Sequence, residues 1–172
     1  MSNSYIEREL VFDFPAKIVW KELDKQGVML PKGMSLVDLV IEREHDILLV
    51  EIKDPSNSRT PDKERKKYLK RLQDNSVLTD ELVPKVRDSY THEHLMGLDT
   101  KPFRYIVILG LDAFSDGIQK ALLHNFSDRL FGNIRHESQL PWVRKHIEDC
   151  IVMSIDEWNR TFTDWPIKRV PT

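Results

Sequence analysis

Three residues, Asp38, Glu51 and Lys53, combine charge types and a spacing that suit a hydrolytic metal site. They fall within or at the ends of two short apolar runs, Leu36 to Ile41 and Ile47 to Ile52, joined by the polar segment Glu42 to Asp46. Apolar runs around a polar connector read as a β-hairpin. In an antiparallel pair, the position numbers of directly opposed residues add to a constant. A turn centred between Glu44 and His45 sets that constant at 89, and Asp38 with Glu51 satisfies it. The two carboxylates then share one face, with Cβ atoms about 4.5–5.5 Å apart. Lys53, two residues beyond Glu51, joins them there.

The flanking residues make this arrangement costly. Leu36, Val40, Ile47 and Leu49 are expected on the same face, and Val37, Leu39, Ile41, Leu48, Val50 and Ile52 on the other. A sheet apolar on both faces is buried, and ionised groups inside it must be paired or bound to metal. Two opposed acids also repel each other. A hard divalent cation, Mg²⁺ or Mn²⁺, held by carboxylate oxygens and water, relieves both problems. Such an ion polarises a phosphodiester oxygen, acidifies a bound water and steadies a leaving oxyanion. A lysine beside it orients or deprotonates the water, or offsets developing negative charge. The plainer alternative is a salt-bridged cluster at a solvent-facing strand end.

The elements around the hairpin follow from periodicity and punctuation. Tyr5 to Phe14 is expected as a first strand. Pro15 opens a stretch, Ala16 to Lys25, whose Ile18, Val19, Glu22 and Leu23 fit a helix ended by Gly27. Asp54 to Asp62, with two prolines, is a loop. Lys63 to Leu72 is a basic helix, and Thr79 to Met96 a second one, interrupted or kinked by Pro84. Arg104 to Leu111 suits a buried strand. Ser115 to Leu130 has helical spacing, and Asp149 to Met153 is a short strand. Ser154 and Glu157 form a capping box that starts a helix reaching about Phe162. The order predicts an α/β fold with a mixed central sheet covered by helices on both sides.

The stretch Val37-Asp38-Leu39 through Val50-Glu51-Ile52-Lys53 resembles the signature of the PD-(D/E)XK (restriction-endonuclease-like) nuclease superfamily. Leu82 to Asp88, together with Glu51-Ile52-Lys53-Asp54, is similar to a bacterial branch of it. The resemblance implies an αβββαβ core with a C-terminal strand and helix added. It also implies a Mg²⁺-dependent nuclease acting on DNA, or on RNA. Asp38 and Glu51 would hold the metal, with the Ile52 carbonyl as a further ligand, and Lys53 would face the water. A glutamate on the preceding helix reaches the metal in some branches; Glu22 matches, with Glu7 and Glu9 as contenders. Lys85 matches a helix residue that assists the site in others. No proline precedes Asp38, a departure at a position that varies in the superfamily. In motifs, the resemblance covers about residues 15–90. Many relatives act as dimers, so a homodimer is compatible with it.

The totals bound this reading. A chain of 172 residues with 40% hydrophobic and 31% charged residues suits one domain, 1–172, with a core of its own. The polar, soon acidic start lacks the form of a secretory signal, no apolar run is long enough to cross a bilayer, and the cytoplasm is the expected location. A net charge of −2 is against tight, non-specific DNA binding. A local excess offsets it: six of the nine residues from Lys63 to Arg71 are basic (Lys63, Arg65, Lys66, Lys67, Lys70 and Arg71). They are the candidate phosphate contacts, against the ordinary reading of a solvated helix face. His92 and His94 diverge on a helix and do not make a zinc site. Cys150 reads as core, and Trp20, Trp142, Trp158 and Trp165 as packing, with a surface contact the alternative for Trp142. The rival function is a nuclease-like fold without catalysis, used as a nucleic-acid or protein-binding module.

Overall fold

The computed structural model describes residues 3–25, 27–140 and 142–170. Its centre is a mixed five-stranded sheet. Strands β3 (Val19–Glu22), β4 (Leu39–Glu42) and β5 (Ile47–Lys53) form an antiparallel meander. β6 (Phe103–Leu109) and β7 (Asp149–Ser154) then add in parallel, giving the order β3-β4-β5-β6-β7. A separate three-stranded antiparallel sheet contains β1 (Ser4–Glu7), β2 (Leu10–Asp13) and β8 (Ile167–Arg169), in the order β1-β2-β8.

The β4–β5 register is the one expected. Leu39 faces Val50, Val40 faces Leu49, Ile41 faces Leu48 and Glu42 faces Ile47. The turn is fixed by Arg43, whose amide donates to the Asp46 carbonyl at 2.9 Å and whose Nε donates to Asp46 Oδ1 at 2.6 Å. Alternation along β5 sends Leu49 to one apolar layer and Leu48, Val50 and Ile52 to the other. Val37 departs from the expected face and packs with Leu36 and Val40. Ladder pairing begins only at Leu39, and the Val37 amide donates to Ser89 Oγ instead.

The first layer is helical. It contains α1 (Asp62–Gln73), α2 (Val83–Leu95), α3 (Asp116–Leu123) and α4 (Phe126–Arg135), which contribute Leu72, Val86, Leu122 and Phe126 among others. A π-helical turn, Leu78–Leu82, leads straight into α2. Pro84 cannot donate to the carbonyl four residues back, and a widened turn accommodates that loss where a kink was expected. The opposite layer is mainly the three-stranded sheet, joined by α5 (Ile155–Thr161) through Trp158. Helices therefore dominate one face only. The capping box forms as expected, with Glu157 N–H donating to Ser154 Oγ at 3.2 Å and Ser154 N–H to Glu157 Oε2 at 2.7 Å.

Three expectations fail. The helix over Ala16 to Lys25 is absent, and with it the opening helix of the αβββαβ order. Trp20 and its neighbours instead pair with β4, so a sheet edge and an aromatic cluster with Phe14 and Tyr5 override a weak helical period. The first strand is two, because Arg8 takes a left-handed conformation (φ 55°) and turns the chain between Glu7 and Leu10. The helix over Ser115 to Leu130 breaks at Asn125 (φ 52°), a residue type that tolerates this conformation. Among the described residues, no helix is long and apolar enough to cross a membrane.

Candidate active site

Both carboxylates stand where the end of the β4–β5 ladder meets the helical layer. Asp38 precedes β4 by one residue, and the observed register carries it opposite Glu51. Its Oδ2 accepts the Ile52 amide at 2.6 Å, a short bond that fixes the carboxylate against the strand end. In a strand, a residue's N–H and C=O point to the same neighbour, so the Ile52 carbonyl also faces Asp38. Glu51 is 0% exposed on a strand paired on both sides.

Two ammonium groups reach Glu51. Lys53 Nζ lies 3.0 Å from Oε1. Lys85, on the first turn of α2, lies 2.8 Å from Oε1 and 3.0 Å from Oε2. Despite these short approaches, Oε1 accepts no well-aligned hydrogen bond and is buried. Its charge is compensated, while its lone pairs are not satisfied. The ion pairs extend outwards. Lys53 also meets Glu81 at 3.1 Å, and Arg71 closes on Glu81 at 2.5 Å. Lys85 lies 4.0 Å from Asp38 Oδ1 and 3.8 Å from Asp24 Oδ2.

Burial and charge set the protonation states. Desolvation, then repulsion from Glu51, pushes Asp38 up to about 7, although Lys85 and the Ile52 amide oppose the rise. Burial alone would lower Lys53, but Glu51 and Glu81 more than offset it and hold the ammonium charged. Burial would raise Glu81, but Lys53 and Arg71 bring it below the usual carboxylate range. Burial raises the Tyr68 phenol, which is enclosed beside the site and has no hydrogen-bond partner among the described residues.

A cavity of about 370 Å³ opens onto this cluster, lined by Asp38, Glu51, Ile52, Lys53 and Lys85 among others. Helix α1 supplies one wall through Glu64, Lys67, Tyr68 and Arg71, spaced as one helix face. From the basic run, Lys67 and Arg71 therefore reach the cavity. Lys63, Lys66 and Lys70 are exposed and do not line it. Arg65 serves the loop instead: its Nε donates to the Pro55 carbonyl at 3.0 Å and its Nη1 to Asp62 at 2.9 Å.

Glu22 is on β3, not on a helix. It is exposed, pairs with Leu39 and so points away from the Asp38 side. Of the contenders, Glu7 lines the cavity. Glu9 is engaged by Ser58, whose bonds hold its carboxyl below the usual range, and by Arg169 at 3.2 Å. Glu81, Tyr68 and Asp24 were not anticipated. Glu81 had a readable signal, because it stands one helical turn before Lys85.

The donor set fits a hard cation. Mg²⁺ keeps several waters and asks for one or two carboxylates. Asp38, Glu51 and the Ile52 carbonyl provide that, with an unsatisfied buried oxygen on Glu51. Among the described residues, no group of three or more His, Cys, Asp or Glu side chains is placed to hold an ion, so any metal here would rest on two carboxylates, a carbonyl and water. Cys150 is buried in the core, where burial raises its thiol. Comparison with family models, with curated proteins and with solved structures finds no match to this chain.

Proposed function

We propose that this protein is a metal-dependent nuclease that hydrolyses phosphodiester bonds, with DNA as the first substrate to test and RNA the second. One observation carries the reading: Asp38, bonded to the Ile52 amide, and Glu51, fully buried, line one cavity, with two lysines within 3.0 Å of Glu51. A structural ion pair needs one acid and one base. Two acids at a cavity floor, one of them half-protonated near neutrality, match a site that awaits a further cation. The meander β3-β4-β5 followed by parallel β6 adds support to the PD-(D/E)XK resemblance.

In this reading Asp38, Glu51 and the Ile52 carbonyl hold Mg²⁺ or Mn²⁺. When bound, the ion supplies Lewis-acid polarisation of the phosphate and an acidified water. The chain's residues do the rest. The Ile52 amide keeps the Asp38 carboxylate aimed at the cavity. Glu81, itself paired with Arg71, anchors Lys53, whose ammonium on the cavity lining can meet an attacking water or a charged phosphate oxygen. Lys67 and Arg71 on the cavity wall offer positive charge to the flanking phosphates.

Purified protein with Mg²⁺ should cut DNA, while Lys53→Ala and Asp38→Ala should remain folded and inert. Equal residual cutting by wild type and both variants would remove the reading. A second reading, a binding module without catalysis, is favoured by the fact that the two lysines already compensate Glu51 without metal. It expects that no Mn²⁺ binds, or that Asp38→Asn and Glu51→Gln leave Mn²⁺ binding unaltered.

A further inference from the structure

Lys85 stands closer to the cavity's carboxylates than a helper residue needs to. Its ammonium bridges both Glu51 oxygens at 2.8 and 3.0 Å, and lies 4.0 Å from Asp38 Oδ1 and 3.8 Å from Asp24 Oδ2. One positive charge thus sits amid three carboxylates, where a divalent ion bound to Asp38 and Glu51 would itself lie. We propose that Lys85 is a tethered occupant of the cation site, which Mg²⁺ must displace before it binds. The inference rests on the proposed metal-dependent reading and adds its control.

Joint occupancy would gather three cations on one buried carboxylate. Mg²⁺ binds oxygen at about 2.0–2.1 Å. An ion at that distance from Glu51 Oε1 would share the oxygen with an ammonium 2.8 Å from it. The two cations also repel, strongly so in a buried setting. Lys53 touches Glu51 too, but it is also paired with Glu81, which Arg71 holds in turn. Lys85 has no such anchor. Its other neighbour is Asp24, half-exposed at 3.8 Å, which offers a place for the displaced ammonium at the cavity edge. Lys85 makes its directed hydrogen bond to Glu51 Oε2, while its approach to Oε1 is by charge without alignment. The arrangement keeps the site folded without metal and lowers metal affinity.

The test is Mn²⁺ titration calorimetry on wild type and Lys85→Met, with Mg²⁺-dependent amine acylation of the wild type read by mass spectrometry. Removing the internal competitor should tighten Mn²⁺ binding by about ten-fold or more, the order expected for the loss of one charge–charge contact. In the wild type, Lys85 should resist acylation alone and become reactive when Mg²⁺ is added. Equal or weaker Mn²⁺ affinity in the variant would overturn the proposal while leaving the metal site standing. Unchanged Lys85 labelling at a Mg²⁺ concentration that binds would also overturn it. Absence of binding in both proteins would sink the proposal and the nuclease reading together. The labelling arm needs no substitution, so a variant that fails to fold does not stall it.

Discussion

Asp38→Asn should stabilise the metal-free protein at high pH, by an amount that grows with pH. The Asp38 carboxyl is 16% exposed and pushed from 3.8 to about 7, chiefly by burial and then by Glu51. A raised value means the fold prefers the neutral acid. Its contribution to stability is complete below the unfolded value near 4 and is lost as pH rises through about 7. The rise of roughly three pH units corresponds to about 4 kcal/mol. Asparagine keeps the acceptor for the Ile52 amide and cannot ionise, so it escapes this loss. It also gives up attraction to Lys85, 4.0 Å away, which trims the gain. The stability difference between variant and wild type should therefore widen by about 2–4 kcal/mol between pH 4 and pH 8. Urea unfolding in EDTA at several pH values measures it. A difference that stays flat, or shrinks as pH rises, would show that Asp38 is ionised throughout and refute the desolvation argument. Adding Mg²⁺ should then raise the stability of wild type and not of the variant, since only a site able to bind gains from ligand.

Three further substitutions probe the surroundings. Gly110→Ala would place a Cβ on Asp54 Oδ1; Arg169 holds that carboxylate with one 2.8 Å bond to each oxygen, and the Gly110 amide donates to the Lys53 carbonyl. Overpacking there should cost about 1–3 kcal/mol in urea unfolding, and an unchanged midpoint would contradict it. Tyr68→Phe removes a buried hydroxyl that lacks a partner, so stability should hold or rise by about 1 kcal/mol; a clear loss would mean that the hydroxyl is bonded. Ser154→Ala deletes the capping box of α5 and should cost about 1 kcal/mol, seen as a lower Tm; no change would show the cap to be idle.

Much of the site was legible because strand pairing is arithmetic. Once the polar connector was centred between Glu44 and His45, the alternation of β5 placed Glu51 and Lys53, and the register placed Asp38. Burial of the hairpin followed from its unbroken apolar runs. What the chain did not reveal came from partners distant in sequence. Val19 and Trp20 read as helix because their pairing to β4 and the cluster around Phe14 are tertiary. Misplacing that segment misplaced Glu22 as well. The basic run was visible, but which of its residues face the cavity depended on how α1 packs through Leu72. The π-helical turn before Pro84 brings Glu81 to Lys53, and the helix that continues from it brings Lys85 to Glu51; only the break expected at Pro84 hinted at it.

The most direct measurement is the anomalous density of a crystal soaked in Mn²⁺. The expected result is a single strong peak coordinated by Asp38, Glu51 and the Ile52 carbonyl, with the Lys85 ammonium moved off Glu51. Crystals saturated with Mn²⁺ that show no peak between those carboxylates, and Lys85 still bridging Glu51, would contradict the metal-dependent account.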